Sequence, residues 1–597
     1  MFANKPYTLD QWLNLWQRAD AAAETLLLRQ QTLLTAHKSG AANEWIHLAS
    51  VTELQAQITE LLTRDPATQP LFGIPFAVKD NIDVAGMPTT AGCPTFAHLP
   101  TSDAFVVAQL RAAGAICLGK TNLDQFATGL NGTRTPYGIP TNPFNPDYIT
   151  GGSSSGSAVA VAKGAVAFSL GTDTAGSGRV PAGFNNLVGL KPTRGLISTS
   201  GVLPACRTLD CVSIFAASIS DAERVLAVAG VYDPVDPYAR EIPDLRPTHT
   251  TPVRLATFKP LNWFGDTTQA QAWQQWRDTQ ASRGILLTEI DPTPFLALAP
   301  LLYGGPWVAE RLAAIESFVQ DHSDSIHPVV RKIILSGQNY SAVDTFKAEY
   351  QRAALVRQIH DALAPFDALV VPTSPTFPRI EDVLADPIQR NSELGHYTNF
   401  VNLADLSALA IPAGSRADDL PFGVTLIGKT WADALLAEIG QTLLRTDTAA
   451  SEDLSPPPPN AREIAVTVVG AHLTGMPLNH QLTSRGARLL KATSTAATYR
   501  LYALANTTPP KPGLVFDPVG SAIAVEVWAL PRAALADFLE EIPAPLGLGT
   551  LTLEDGATVT GFICEPRALE GAADVTAFGG WRAYIQSLKT AAGAPHV

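Results

Sequence analysis

The sequence predicts an α/β fold whose sheet is covered on both faces, followed by a smaller α+β domain. Three observations predict it. Between residues 70 and 215, short apolar runs such as 74–78 and 115–118 alternate with helical stretches, the pattern of strands buried on both faces. The same region is dense in glycine, serine and threonine. Near the last quarter, Ser455-Pro-Pro-Pro-Pro-Asn460 interrupts the chain; four prolines can continue neither a helix nor a ladder and favour a stiff extended spacer.

The elements follow in order. Residues 1–65 read as helices: Leu9, Trp12, Leu13 and Trp16 keep the i, i+3, i+4, i+7 spacing behind Thr8 as N-cap. Leu54, Ile58, Leu61 and Leu62 repeat it before the Asp65-Pro66 stop. Residues 344–363 read as a long helix and 368–371 as a buried strand stopped by Pro372. These set a first domain over 1–454, a spacer over 455–460 and a second domain over 461–597. In the latter, 464–469 and 522–528 read as strands, and Pro531 opens an amphipathic helix. Residues 551–553 and 559–563 flank Asp555-Gly556 as a hairpin. No repeat of fixed period is present.

Composition limits function. Of 597 residues, 46% are hydrophobic and 16% charged, so most of the chain can build a core. The net charge is −13, with no basic run, which argues against nucleic acid or an anionic membrane surface as the main partner. An anionic substrate would need a local cation. Cys93, Cys117, Cys206, Cys211 and Cys564 form no CxxC pair and no metal-ligand cluster; an odd, sparse count suggests free thiols in a reducing compartment. The opening residues lack the apolar stretch of a secretory leader. The most apolar stretch, 157–170, is interrupted by Lys163 and too short to span a bilayer. A cytoplasmic location is expected.

Three segments carry the chemistry: Gly73-Ile-Pro-Phe-Ala-Val-Lys79-Asp80, Gly151-Gly-Ser-Ser-Ser-Gly-Ser157 and Gly171-Thr-Asp-Thr-Ala-Gly-Ser177-Gly-Arg179. Neither glycine-rich loop fits GxxxxGK[ST] or GxGxxG. By texture alone, linker, structural turn and catalytic loop all remain open, although the apolar flanks place both loops inside a core-building region. The three segments together resemble the amidase signature family, over roughly residues 20 to 440, with the two serines 24 positions apart. That resemblance implies an α/β/α fold around a large mixed central sheet. It also implies amide hydrolysis by a Ser-Ser-Lys triad: Ser177 as nucleophile, Ser153 as bridging serine and Lys79 as base. Ser155 and Ala175 stand where the family usually has glycine. Ala175 still offers a backbone N–H, so an oxyanion hole from the amides of Thr174, Ala175, Gly176 and Ser177 is expected, each donor worth about 3–4 kcal/mol. Lys79 must be neutral to accept a proton, which needs burial or a cationic neighbour. Asp173 and Arg179 read as an ion pair holding the nucleophile loop.

Two further stretches narrow the substrate: Asp124-Gln-Phe-Ala-Thr-Gly-Leu-Asn-Gly-Thr-Arg-Thr-Pro-Tyr-Gly138 and Tyr303-Gly-Gly-Pro-Trp-Val-Ala-Glu-Arg311. They resemble the allophanate hydrolase branch of that family, which acts on carboxylated urea. A small planar anion needs an arginine fork for its carboxylate and polar donors for its ureido end. Arg311 with Tyr303 would supply the first, and the loop of Gly129, Asn131, Gly132 and Thr133 the second. Arg311 as an exposed salt bridge to Glu310, and Tyr303 as a core aromatic, are the competing readings. Val469-Gly470-Ala471-His472-Leu473-Thr474-Gly475 resembles the opening loop of γ-glutamylcyclotransferase-like folds, as fused to allophanate hydrolases. The resemblance implies decarboxylation of the released N-carboxycarbamate, with His472 involved, or alternatively His480. No cofactor and no metal are implied. With no biotin-attachment or ATP-grasp motif, urea carboxylase would be a separate functional partner, and a homodimer is the family expectation. The rivals are a general small-amide amidase or a component of an amidotransferase, with the second domain serving only assembly.

Overall fold

The computed structural model describes residues 6–16, 19–243, 253–445, 463–505, 507 and 509–592; the proline spacer at 455–460 lies outside the described residues. These residues divide into two compact units, one over 6–242 and 253–445, the other over 463–592 with Pro243.

The first unit is built on one eleven-stranded mixed sheet. Its strands are β1 (Trp45–Leu48), β2 (Pro75–Lys79), β3 (Ile116–Thr121), β4 (Phe168–Asp173), β5 (Val188–Lys191), β6 (Cys211–Ala216), β7 (Leu255–Phe258), β8 (Leu287–Ile290), β9 (Ala368–Pro372), β10 (Ser407–Ser415) and β11 (Pro421–Gly428). They lie in the order β1-β3-β2-β4-β6-β5-β10-β11-β9-β7-β8. Strand β2 runs parallel to β3 and β4, whereas β4 is antiparallel to β6. Both faces are covered, and the alternation of side chains shows it. On β9, Val370 joins one hydrophobic core while Leu369 and Val371 join another; on β11, Leu426 and Ile427 divide the same way. This is the α/β sheet covered on both faces that the apolar runs predicted.

The expected helices at Leu9–Trp16, Val51–Leu61 and Ala342–Leu363 are present. Thr8 Oγ1 accepts the Gln11 N–H, closing the first turn as an N-cap. The all-helical reading of residues 1–65 needs correction, because Trp45–Leu48 is an edge strand antiparallel to β3. Four residues beside a single partner leave too short a pattern to register against flanking helical periodicity.

The second unit contains β12 (Glu463–Val468), β13 (Arg488–Ser494), β14 (Tyr499–Ala503), β15 (Pro512–Phe516), β16 (Ala524–Pro531), β17 (Leu546–Thr552), β18 (Thr558–Cys564) and β19 (Ala573–Asp574). A five-stranded sheet, β13-β16-β12-β18-β17, stands with a three-stranded one, β15-β14-β19. The β17–β18 hairpin turns through Gly556 at φ 82°, the left-handed conformation that the Asp-Gly pair supplies at low cost. A helix, Leu535–Glu540, follows Pro531.

Candidate active site

Lys79 is the last residue of β2, and Thr172 lies one residue before the end of its parallel neighbour β4. Sites in α/β sheets form beyond the carboxyl ends of such strands. The Lys79 ammonium position is fully buried and has two hydroxyl partners: Nζ donates to Ser153 Oγ at 2.7 Å and to Thr172 Oγ1 at 2.7 Å. Ser153 Oγ donates in turn to Ser177 Oγ at 2.9 Å. The three residues named from the sequence therefore form one continuous chain of hydrogen bonds. Burial lowers the Lys79 pKa to about 7, against the raising influence of Asp124, Asp210 and Asp173.

Two loops hold the serines. The Gly152–Ser153 peptide is cis. Ser155 opens the helix Ser155–Ala162, and its hydroxyl donates to the Asn122 carbonyl at 3.4 Å. Ser154 locks the loop to β4, donating to the Thr172 carbonyl at 3.1 Å. After β4, Asp173 receives the Arg179 fork through Nε and Nη2, both at 2.9 Å, and accepts the Gly176 and Gly178 amides at 2.9 and 3.0 Å. Against its burial, Arg179 holds the Asp173 carboxyl below the usual carboxylate range. Gly176 sits at φ +138°, where a Cβ would lie 2.3 Å from Thr398 Oγ1; Ala175 is outside the left-handed region, which is why alanine serves there.

The expected oxyanion set needs one correction. The Gly176 N–H is engaged by Asp173 Oδ1 and faces away from that duty. Among the described residues, the N–H groups of Thr174, Ala175 and Ser177 donate to no protein acceptor, which leaves them free for an incoming oxygen. Sequence reasoning also missed Thr172 and Asp210. Asp210 lies one step beyond the Cys211–Asp173 pair, and its buried carboxylate accepts the Thr174 hydroxyl. Burial raises its pKa to about 6, opposed by that hydrogen bond.

Arg311 lies on the helix Trp307–His322 and is buried, not on an exposed face. Glu310 points elsewhere, accepting the Thr208 N–H and hydroxyl at 2.7 and 2.9 Å. The Arg311 guanidinium stands 4.9 Å above the half-buried Tyr303 ring. It donates to Thr128 Oγ1 at 3.3 Å and to Tyr303 Oη at 3.4 Å, its Nε has no partner, and no carboxylate pairs with it among the described residues. The neighbouring loop reaches the serine, because the Gly129 carbonyl lies 3.5 Å from Ser177 Oγ. Asp124 shapes that loop by accepting the amides of Asn131, Gly132 and Arg134 at 3.2, 3.1 and 3.0 Å. Gly132 adopts φ +80°. Asn131 and Thr133 are turned on each other: Asn131 Oδ1 accepts the Thr133 N–H and hydroxyl at 2.9 and 2.8 Å, while its Nδ2 donates to Asn391 at 2.8 Å. They hold the loop together.

His472 belongs to the second unit, in the loop after β12. Its ring stacks on Phe562 with centroids 5.0 Å apart, and Nε2 lies 2.7 Å from Gln481 Oε1. Burial lowers its pKa, with Gln481 opposing. His480 is exposed, with Nδ1 against the Pro477 carbonyl.

The chain matches two family models, the amidase model over residues 33–437 and the "Allophanate hydrolase C-terminal domain" over 464–586. It is 43% identical to a urea amidolyase of Saccharomyces cerevisiae, over 98% of this chain and 33% of the relative. A urea amidolyase of Lachancea kluyveri is 44% identical, over 94% of this chain and 32% of that one. The chain thus spans about a third of the length of the urea amidolyases it matches. Among solved structures, a variant of Kluyveromyces lactis allophanate hydrolase superposes with a TM-score of 0.82 at 40% identity, covering 98% of this chain and all of that one.

Proposed function

The chain belongs to the amidase family, and from that premise we propose that it hydrolyses allophanate through a Ser-Ser-Lys relay. One observation carries the choice of substrate. Within a single loop, Thr128 touches an arginine that has no carboxylate partner among the described residues, and the next residue, Gly129, touches Ser177. Asp210 and Glu310 support the guanidinium charge from a distance, but neither is in contact with it, so its fork is open to a ligand carboxylate. A substrate with a carboxylate close to its scissile amide fits there, and allophanate is the smallest such ureido anion. In a chain of charge −13, this local cation also offsets the repulsion an anion meets on approach.

Once Lys79 is neutral, the two hydroxyls turn so that Ser153 donates to its lone pair and Ser177 to Ser153. Lys79 then takes the proton of Ser153, which takes that of Ser177, as Ser177 Oγ attacks the terminal carbonyl. The free amides of Thr174, Ala175 and Ser177 receive the developing oxyanion. Collapse returns the proton to the leaving nitrogen and releases ammonia. Water then deacylates the serine and releases N-carboxycarbamate. We read the second unit as γ-glutamylcyclotransferase-like and as promoting loss of carbon dioxide from that product, with His472 engaged as a neutral imidazole. The family model matched over 464–586 supports that pairing of activities, and the amidotransferase rival does not account for it. Carboxylation of urea would be carried by residues outside this sequence, in the same or another chain. The five cysteines, all free and buried, favour a reducing, cytoplasmic setting.

The test is ammonia release from allophanate, malonamate, biuret and glutamine, measured side by side. Allophanate is expected to show the highest kcat/KM, with malonamate ahead of neutral biuret. Preference for glutamine would overturn the assignment in favour of the amidotransferase reading.

A further inference from the structure

Asp210 is a buried carboxylate that the relay does not use. It stands one residue before β6, where β4 and β6 part, and three donors converge on it. Thr174 contributes its hydroxyl. Ala205 N–H lies 2.7 Å from Oδ2, and Cys206 N–H lies 3.2 and 3.1 Å from the two oxygens. No cation pairs with it among the described residues. Asn402 ties the same strand ends together, its Nδ2 donating to the carbonyls of Asp173 and Leu209 at 2.8 and 2.9 Å. The segment bearing Asp210 is anchored at its other end as well: Cys206 Sγ lies 3.5 Å from the Trp307 carbonyl, and Thr208 is held by Glu310.

Thr174 is the first residue of the turn that presents the free amides beside Ser177. Preorganised donors contribute only if they are already aimed when charge develops. A threonine in such a turn has no secondary structure to fix it, so its side chain must be fixed by something else. We propose that Asp210 is a positioning residue for acyl transfer: by binding the Thr174 hydroxyl it aims the Thr174 and Ala175 amides at the oxyanion. This rests on the assignment of Ser177 as nucleophile. An acceptor with several lone pairs suits the task, because all three groups facing it are donors. An asparagine would present its own NH₂ to one of them.

The experiment compares Asp210→Asn, Thr174→Val, Thr174→Ser and the Asp210→Asn/Thr174→Val double variant in the full chain, with Ser177→Ala as control. The substrate is whichever of the four amides above is turned over fastest. Thr174→Val should lower kcat by about 10–100-fold, up to the loss from removing one oxyanion donor, with KM changed less than about threefold. Thr174→Ser, which keeps the hydroxyl, should recover most of that loss. The double variant should be no slower than the slower single variant, as for residues acting as one unit. Should Asp210→Asn fold poorly, the two Thr174 variants still decide. Wild-type kcat in Thr174→Val, or equal losses in Thr174→Val and Thr174→Ser, would overturn the proposal. An active Ser177→Ala enzyme would instead overturn the nucleophile assignment, so the two failures are distinct.

Discussion

As the proposed base, Lys79 would set the pH behaviour of the site. Its pKa is lowered from 10.5 to about 7 by burial, and only the neutral amine can accept a proton. The rate of acylation should therefore rise with pH through about 7 and level off above it; a flat profile between pH 6 and 8 would remove Lys79 as the base. The same shift bears on stability. The folded state binds this proton less tightly than the unfolded chain, so the cost is fully present below about pH 7 and disappears as pH approaches 10.5. Lys79→Met, which removes the ammonium, should be more stable than wild type at pH 7 by on the order of 4 kcal/mol, with the difference closing at high pH. Denaturant unfolding at pH 7 and 10 measures it. The three members of the proposed relay were named from the sequence through the resemblance that their three motifs carry together, since glycine and serine texture alone left linker, turn and catalytic loop open. Thr172, Asp210 and Asn402 were not. Their contacts join residues 93, 36 and 193 positions apart, and one sequence carries no signal of such pairings.

At the scale of elements, the helix Trp307–His322 brings its buried arginine against the loop that follows Asp124. Helical spacing could place Arg311 on a helix but could not say which face is covered, so an exposed ion pair with Glu310 was equally compatible with the sequence. Strand β1 escaped for a related reason: its identity comes from pairing with β3, a tertiary fact. The long helix and β9 were legible because the first repeats its period many times and the second is an unbroken apolar run. The planar fork of Arg311 makes a sharp prediction. Arg311→Lys keeps the charge but loses bidentate geometry and the stacking on Tyr303. The kcat/KM for allophanate should fall by roughly 10–100-fold, the equivalent of about 1.5–3 kcal/mol for a charge-assisted hydrogen bond, while that for a neutral amide of similar size should change little. Equal losses on both substrates would make Arg311 a structural residue.

The whole molecule joins two units of different architecture, and the chemistry proposed for them is sequential. All residues of the proposed relay, together with Arg311 and Tyr303, lie in the first unit, whose mixed sheet and three hydrophobic clusters are built, among the described residues, from its own side chains. His472 lies in the second, with its own core around Val466, Leu501, Trp528 and Phe562. A chain ending at Asp453 should therefore fold, since separate cores are the physical condition for separate folding. It should release the first ammonia from allophanate at a rate close to that of the full chain. Carbon dioxide release should slow toward its spontaneous rate, because N-carboxycarbamate would leave without meeting the second unit. Full-length His472→Ala should reproduce that pattern if the imidazole acts on the product: ammonia on time, carbon dioxide delayed. Parallel time courses of both gases for wild type, the shortened chain and His472→Ala test the division of labour. Carbon dioxide at the wild-type rate from His472→Ala would leave the ring as packing against Phe562 and Phe538. The same result from the shortened chain would reduce the second unit to assembly, and loss of ammonia release there would show that the first unit needs the second to hold its site.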